Sequence, residues 1–175
     1  MTDLRYPIGP FTFPSDTSDE QRRQWIDEIA STPAHLRAAV AGLTDEQLDT
    51  PYRPGGWTVR QVVHHLPDSH LNSYIRVKWA LTEDEPVIKT YDEKAWADLV
   101  DARTAPIDLS LALLDALHER WVLMLRSLSE DEVARVFRHP EWGRVTLAQN
   151  LAIYAWHGRH HVAHITALRE RMGWT

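Results

Sequence analysis

Four times the chain spells out the start of a helix, and that repetition constrains the fold more than any other feature. Thr44-Asp45-Glu46-Gln47, Thr58-Val59-Arg60-Gln61, Ser129-Glu130-Asp131-Glu132 and Thr146-Leu147-Ala148-Gln149 each set a hydroxyl residue three positions before a Gln or Glu. At that spacing the hydroxyl accepts from the third residue's N–H, and the Gln or Glu reaches back to the cap's own N–H. A fifth start lies near Ser18, where Asp19 and Glu20 suit the positive end of a helix dipole.

The apolar spacing after these starts says how far each helix runs. Trp25, Ile26, Ile29, Leu36, Val40 and Leu43 share one face of a first helix, with a kink or break expected at Thr32-Pro33. A second long helix runs from Thr58 to about Glu83. Pro67 within it cannot donate to the Val63 carbonyl, so a local bend is expected there. A third, roughly 109–128, places Leu113, Leu114, Leu117, Trp121, Met124, Leu125 and Leu128 at core spacing. The fourth runs from Thr146 to about Met172 and stops at Gly173. Between them, 49–56 reads as a loop, 84–108 as a long link with a short helical piece at 92–99, and 137–145 as a loop or small hairpin. No period-2 run approaches these lengths, so the fold class is all-α, a four-helix bundle with a long crossover connection. One domain is expected over 1–175, with residues 1–17, carrying Pro7, Pro10, Pro14, Phe11 and Phe13, as an extended arm packed on it.

Composition narrows the chemistry. There is no cysteine, which excludes disulfides, thiolate metal sites and cysteine nucleophiles, and leaves histidine and carboxylate as metal ligands. A formal net charge of −6 offers no basic stripe to release counterions from nucleic acid. No secretory leader, membrane span or membrane partner is expected, and a cytoplasmic location suits the cysteine count.

Four of the ten histidines fall in the eight residues His157 to His164, inside the last helix. Residues four apart lie one turn above each other, about 40° apart around the axis, so His157/His161 and His160/His164 are two chelating pairs on neighbouring faces. A third ligand has to come from elsewhere. On the second long helix His65, Asp68, Ser69 and Asn72 form a polar stripe at i, i+3, i+4 and i+7, which is costly in a bundle core unless partners satisfy it. His65 with His157 and His161 gives three neutral imidazoles and leaves a fourth coordination position open, as in catalytic zinc sites. His64, His70 and His164 read as surface, packing or supporting residues, while isolated His35, His118 and His139 show no ligand spacing. Trp57, Asn72, Arg76 and Tyr154 are candidates for facing the pocket.

The chain resembles the YfiT-type metal-dependent hydrolase family of the DinB-like superfamily. The resemblance runs through Arg5-Tyr6-Pro7-Ile8-Gly9, Thr50-Pro51-Tyr52-Arg53, and Gly55-Gly56-Trp57-Thr58 onward to His64-His65. It continues through Tyr91-Asp92-Glu93-Lys94-Ala95-Trp96, Trp156-His157 with His161 to Ile165, and Arg171-Met172-Gly173-Trp174. It implies a four-helix bundle, a homodimer, and one divalent metal per subunit, zinc or nickel, on His65, His157 and His161. It thereby selects His157/His161 over His160/His164.

Three functions are expected to compete for such a site. Hydrolysis of a small molecule uses an activated water and needs a base, for which Asp68 is the nearest carboxylate in sequence, or else it orients a ligand imidazole. Peptide hydrolysis is disfavoured because Gly158 follows His157 where a His-Glu-x-x-His motif needs Glu. S-transfer from a low-molecular-weight thiol such as bacillithiol or mycothiol is the alternative; with no cysteine in the chain, the thiol comes from outside. A non-catalytic metal-stabilised dimer is the third.

Overall fold

The computed structural model describes residues 3–15 and 17–174. In chain order it contains α1 (Asp19–Val40), α2 (Asp45–Leu48), α3 (Val59–Thr82), α4 (Glu93–Ala97), α5 (Val100–Thr104), α6 (Ile107–Arg126) and α7 (Glu130–Val133). The strands β1 (Val136–His139) and β2 (Gly143–Thr146) follow, and then α8 (Leu147–Met172). All four Ser/Thr capping boxes form, at Thr44, Thr58, Ser129 and Thr146, and Ser18 caps α1. Gly173 ends α8 in the left-handed region at φ 66°, where an L side chain is strained.

The long helices α1, α3, α6 and α8 make the bundle. α1 packs on α8 and α6, and α3 packs on α6 and α8, so α1 and α3 are not principal neighbours although consecutive. The departure from up-down order therefore lies at the α1–α3 and α6–α8 steps. The long link 83–106 joins neighbours, and its length goes into α4 and α5, both packed on α3. The small hairpin pairs Val136 with Thr146 and His139 with Gly143.

Both internal prolines sit in unbroken helix. At Pro33 the expected break does not occur, because the carbonyl that the proline leaves without an i+4 donor, that of Ile29, accepts instead from His118 Nδ1 of α6 at 2.7 Å.

The apolar interior comes in two clusters separated along the bundle. One gathers Ile26, Ile29, Val77, Trp121, Leu151 and Ala155; the other gathers Leu36, Val62, Leu66, Leu114, Ile165 and Leu168. Between them each long helix contributes polar residues: Thr32 from α1, His65 to His70 from α3, His118 from α6, and His157 to His161 from α8. That waist is where the histidines meet. The arm lies against α8, with Trp156 Nε1 donating to the Gly9 carbonyl and His164 Nε2 donating to that of Arg5. Positions 1, 2 and 16 of the expected arm fall outside the described residues. Among the described residues no helix is long and apolar enough to cross a membrane.

Candidate metal centre

α3 and α8 present their histidines across the waist because each helix buries apolar residues above and below it. His65 follows Val62 and Val63 and precedes Leu66, all fully buried, so its rotation about the helix axis is set by packing. His157 and His161 stand one turn apart on α8. The structure brings these three together: one nitrogen from each lies within 4.8 Å of the other two. The ring centroids are 4.7 Å apart for His65–His161 and 4.5 Å for His157–His161, both edge to face, and 5.3 Å for His65–His157.

The donor set suits a divalent ion. His65 Nε2 and His157 Nε2 are 3.3 Å apart. With metal–nitrogen distances of about 2.0–2.1 Å, two ligands of a tetrahedral ion lie roughly 3.3–3.4 Å apart, so this pair already spans one tetrahedral edge. His161 Nδ1 is buried with no hydrogen-bond partner. Burial holds the His65 imidazole down to about 4, helped by the nearby His164, and holds those of His157 and His161 well below the ordinary value, with the neighbouring histidines adding to it. The rings are therefore neutral at pH 7, with lone pairs free to coordinate.

All three help line a cleft of about 1010 Å³. Trp57 packs its ring 4.8 Å from that of His65 and faces His161, forming an apolar wall. Around the rest of the cleft stand Arg53, Glu93, Lys94, Asp98 and Arg103.

The other sequence candidates go elsewhere. Asp68 is half-buried and does not line the cleft; its carboxyl is pushed up to about 6 by burial, with the Asp101 charge adding to it. Asn72 donates to the Asp68 carbonyl, Arg76 to that of Lys89, and the Tyr154 hydroxyl to that of Ser69. The second α8 pair also lines the cleft, but its rings are engaged by neighbours rather than turned to the cluster: His160 stacks on Trp156 at 4.2 Å, and His164 stacks on Tyr52 at 4.0 Å. His64 bonds Ser110 and the Ala105 carbonyl, tying α3 to the start of α6.

Two residues that spacing did not single out belong to the centre. His70 Nε2 lies 3.1 Å from His157 Nδ1, and His118 Nε2 lies 2.8 Å from His70 Nδ1. The partners of His118 come from other helices, so nothing local in its sequence marks it. Gly158 also has a reason. A Cβ there would lie 2.5 Å from Thr32 Oγ1 and 2.8 Å from its Cγ2, so α1 passes too closely for a side chain unless Thr32 shifts. The glutamate of a His-Glu-x-x-His helix would meet the same contact.

Comparison with known proteins finds relatives over the length of the chain. Residues 28–165 match the sequence family described as the DinB superfamily. A protein of Bacillus cereus (strain B4264) named "Putative metal-dependent hydrolase" is 55% identical over 174 residues, 99% of this chain and 100% of that one. A Bacillus mycoides (strain KBAB4) protein of the same description matches at the same identity and coverage. In three dimensions the chain is similar to YfiT from Bacillus subtilis, described as a probable metal-dependent hydrolase with an unusual four-helix bundle topology. That match has a TM-score of 0.96 and 54% identity, over 98% of this chain and 99% of that one. The fold, the shared length and the sequence identity thus agree, and the chain belongs to the YfiT-like family of the DinB superfamily.

Proposed function

We propose that the chain is a metal-dependent hydrolase of small molecules, using one zinc or nickel ion per subunit held by His65, His157 and His161. The observation that carries this reading is the convergence of three neutral imidazoles, each with a nitrogen within 4.8 Å of the others, beside an open cleft. A divalent ion in such a site polarises a scissile carbonyl and brings water within reach of ionisation near neutral pH.

The chain's own residues supply orientation and proton handling. Trp57 covers one side of His65 and limits water there. Of the carboxylates lining the cleft, Asp49 is engaged by Arg60, which leaves Glu93 and Asp98 to take a proton, and desolvation raises the Glu93 carboxyl above its ordinary value. Asp68, off the cleft, is not needed for that step. Arg5, Arg53, Lys94 and Arg103 outnumber the carboxylates Asp49, Glu93 and Asp98 on the cleft by one, a small bias toward a substrate with a negatively charged group.

The cleft volume, about 1010 Å³, reaches the upper end of small-ligand pockets and leaves room for a second molecule. That observation favours a second reading, S-transfer from bacillithiol or mycothiol at the same site. One panel separates the two: zinc-loaded protein with ester, amide and lactone substrates, each with and without thiol, and His161→Ala as control. Thiol-independent turnover lost in His161→Ala supports hydrolysis. Turnover only with thiol supports transfer, and turnover unchanged in His161→Ala overturns both. The partly exposed stripe Leu71, Ile75 and Trp79 on α3, at four-residue spacing, supports a homodimer, which sedimentation equilibrium tests.

A further inference from the structure

A line of hydrogen bonds crosses the waist and joins all four long helices. It begins at the Ile29 carbonyl of α1, which Pro33 leaves without its helical donor, since a proline nitrogen carries no hydrogen. His118 Nδ1 of α6 lies 2.7 Å from that oxygen. His118 Nε2 lies 2.8 Å from His70 Nδ1 of α3, and His70 Nε2 lies 3.1 Å from His157 Nδ1 of α8. His157 Nε2 then faces His65 Nε2 at 3.3 Å.

A carbonyl oxygen only accepts, so the proton between Ile29 and His118 sits on His118 Nδ1. In a neutral ring the other nitrogen is then an acceptor, and the same rule passes along the line. His118 Nε2 accepts from His70 Nδ1–H, and His70 Nε2 accepts from His157 Nδ1–H. His157 Nε2 is left with its lone pair toward the three-histidine cluster. Neutrality follows from burial: His70 is 0% and His118 2% exposed, and a charged imidazole there has no counter-charge within hydrogen-bond reach. The rings are held in place as well, with His70 and His118 stacked at 21° and His70 edge-on to both Trp121 and Tyr154.

We infer that His70 and His118 are positioning residues: anchored on the Ile29 carbonyl that Pro33 frees, they lock His157 in the Nδ1–H tautomer and keep its Nε2 available as a ligand. The line is not a proton exit. It ends on a backbone oxygen that cannot carry a proton onward, and its two inner rings are closed to solvent. This inference rests on the metal-site reading for its purpose, but not for its geometry.

Two readouts on the full-length chain test it. The first is ¹⁵N NMR of histidine rings in the metal-free protein at pH 7.5. His118, His70 and His157 are each expected with Nδ1 protonated and Nε2 bare; a protonated Nε2 at His70 or His157 overturns the inference. The second is Zn²⁺ affinity by chelator competition in His118→Leu and His118→Gln. Leucine removes both bonds of His118 and frees His70 and His157 to change tautomer, so a 10- to 100-fold loss of affinity is expected, with a protonated Nε2 appearing at His157. Glutamine can still donate to Ile29 and accept from His70, so affinity within about 3-fold of wild type is expected. Equal losses in both variants, or wild-type affinity in His118→Leu, overturn the inference. If His118→Leu does not fold, Pro33→Ala replaces it. Its restored N–H competes for the Ile29 carbonyl, and a smaller loss in the same direction is expected; no loss counts against the anchor. Failure of the wild-type protein to bind both Zn²⁺ and Ni²⁺ refutes the metal reading and leaves the NMR result to decide the hydrogen-bond line.

Discussion

Gly158→Ala adds one methyl group at the closest approach of α1 and α8. Its Cβ would sit 2.5 Å from Thr32 Oγ1, 2.8 Å from Thr32 Cγ2 and 3.3 Å from Thr32 Cβ. Thr32 cannot swing away cheaply, because it is 2% exposed and its hydroxyl donates to the Glu28 carbonyl at 3.0 Å. Overpacking of this kind costs about 1–3 kcal/mol, and replacing Gly by Ala within a helix returns roughly 0.5–1 kcal/mol. Taking the midpoints, the net loss is about 1 kcal/mol, or roughly 2–4 °C in Tm for a domain of this size. The assay is a double-mutant cycle by urea denaturation, with Thr32→Ala as the second change. Removing Oγ1 and Cγ2 leaves only the 3.3 Å contact, so the double variant is expected to be more stable than the sum of the singles by about 1 kcal/mol or more. Zinc affinity should fall in Gly158→Ala and recover in the double variant, because His157 and His161 ride on the same stretch of α8. A Gly158→Ala protein as stable as wild type, or effects that add within about 0.5 kcal/mol, would refute the close-approach explanation.

Three other outcomes are expected of the same structure. Burial holds His118 down to about 4 in the folded protein, against about 6.5 in an unfolded chain, so the unfolded state binds more protons between those values. Stability from this residue is complete above about pH 6.5 and is lost as pH falls toward 4, roughly 2 kcal/mol by pH 5; metal-free His118→Gln should show a shallower acid slope than wild type in denaturation at pH 7 and pH 5. Arg60, 6% exposed, donates to Asp49, Asp45 and the Ala105 carbonyl, so Arg60→Met is expected to cost about 2–3 kcal/mol, and Arg60→Lys should not restore a three-way fork; equal stability of Arg60→Lys and wild type would contradict this. Asp68→Asn should leave zinc affinity within about 2-fold of wild type, since Asp68 does not line the cleft, and a tenfold loss by chelator competition would put it back in the centre.

Much of the bundle was legible because its signals are local. Each capping box needs only four consecutive residues, and each became a helix start. The i,i+4 spacing of His157 and His161 and the polar stripe led by His65 are also properties of single helices, and the structure brings these three side chains together. What escaped was set by partners distant in the chain. Pro33 reads locally as a breaker, yet α1 runs through it because the freed carbonyl finds His118, 89 residues away. His118 itself has no periodic neighbour to betray it. Asp68 shares its helix with His65, but the stripe divides, with His65 turning to the cluster and Asp68 lying off the cleft near Asp101. The interruption of the apolar face midway along all four long helices is the one signal that, read jointly, points to a polar waist. The order of helices around the bundle depends on which faces meet, which spacing within each helix does not encode.

The central claim is tested most directly by anomalous diffraction at the zinc edge from crystals of the zinc-loaded protein. The expected result is a single ion bound by His65, His157 Nε2 and His161 at roughly 2.0–2.1 Å, with its remaining position facing the cleft and held by solvent. An ion bound elsewhere, a fourth protein side chain closing that position, or His65 turned away from α8 would contradict it.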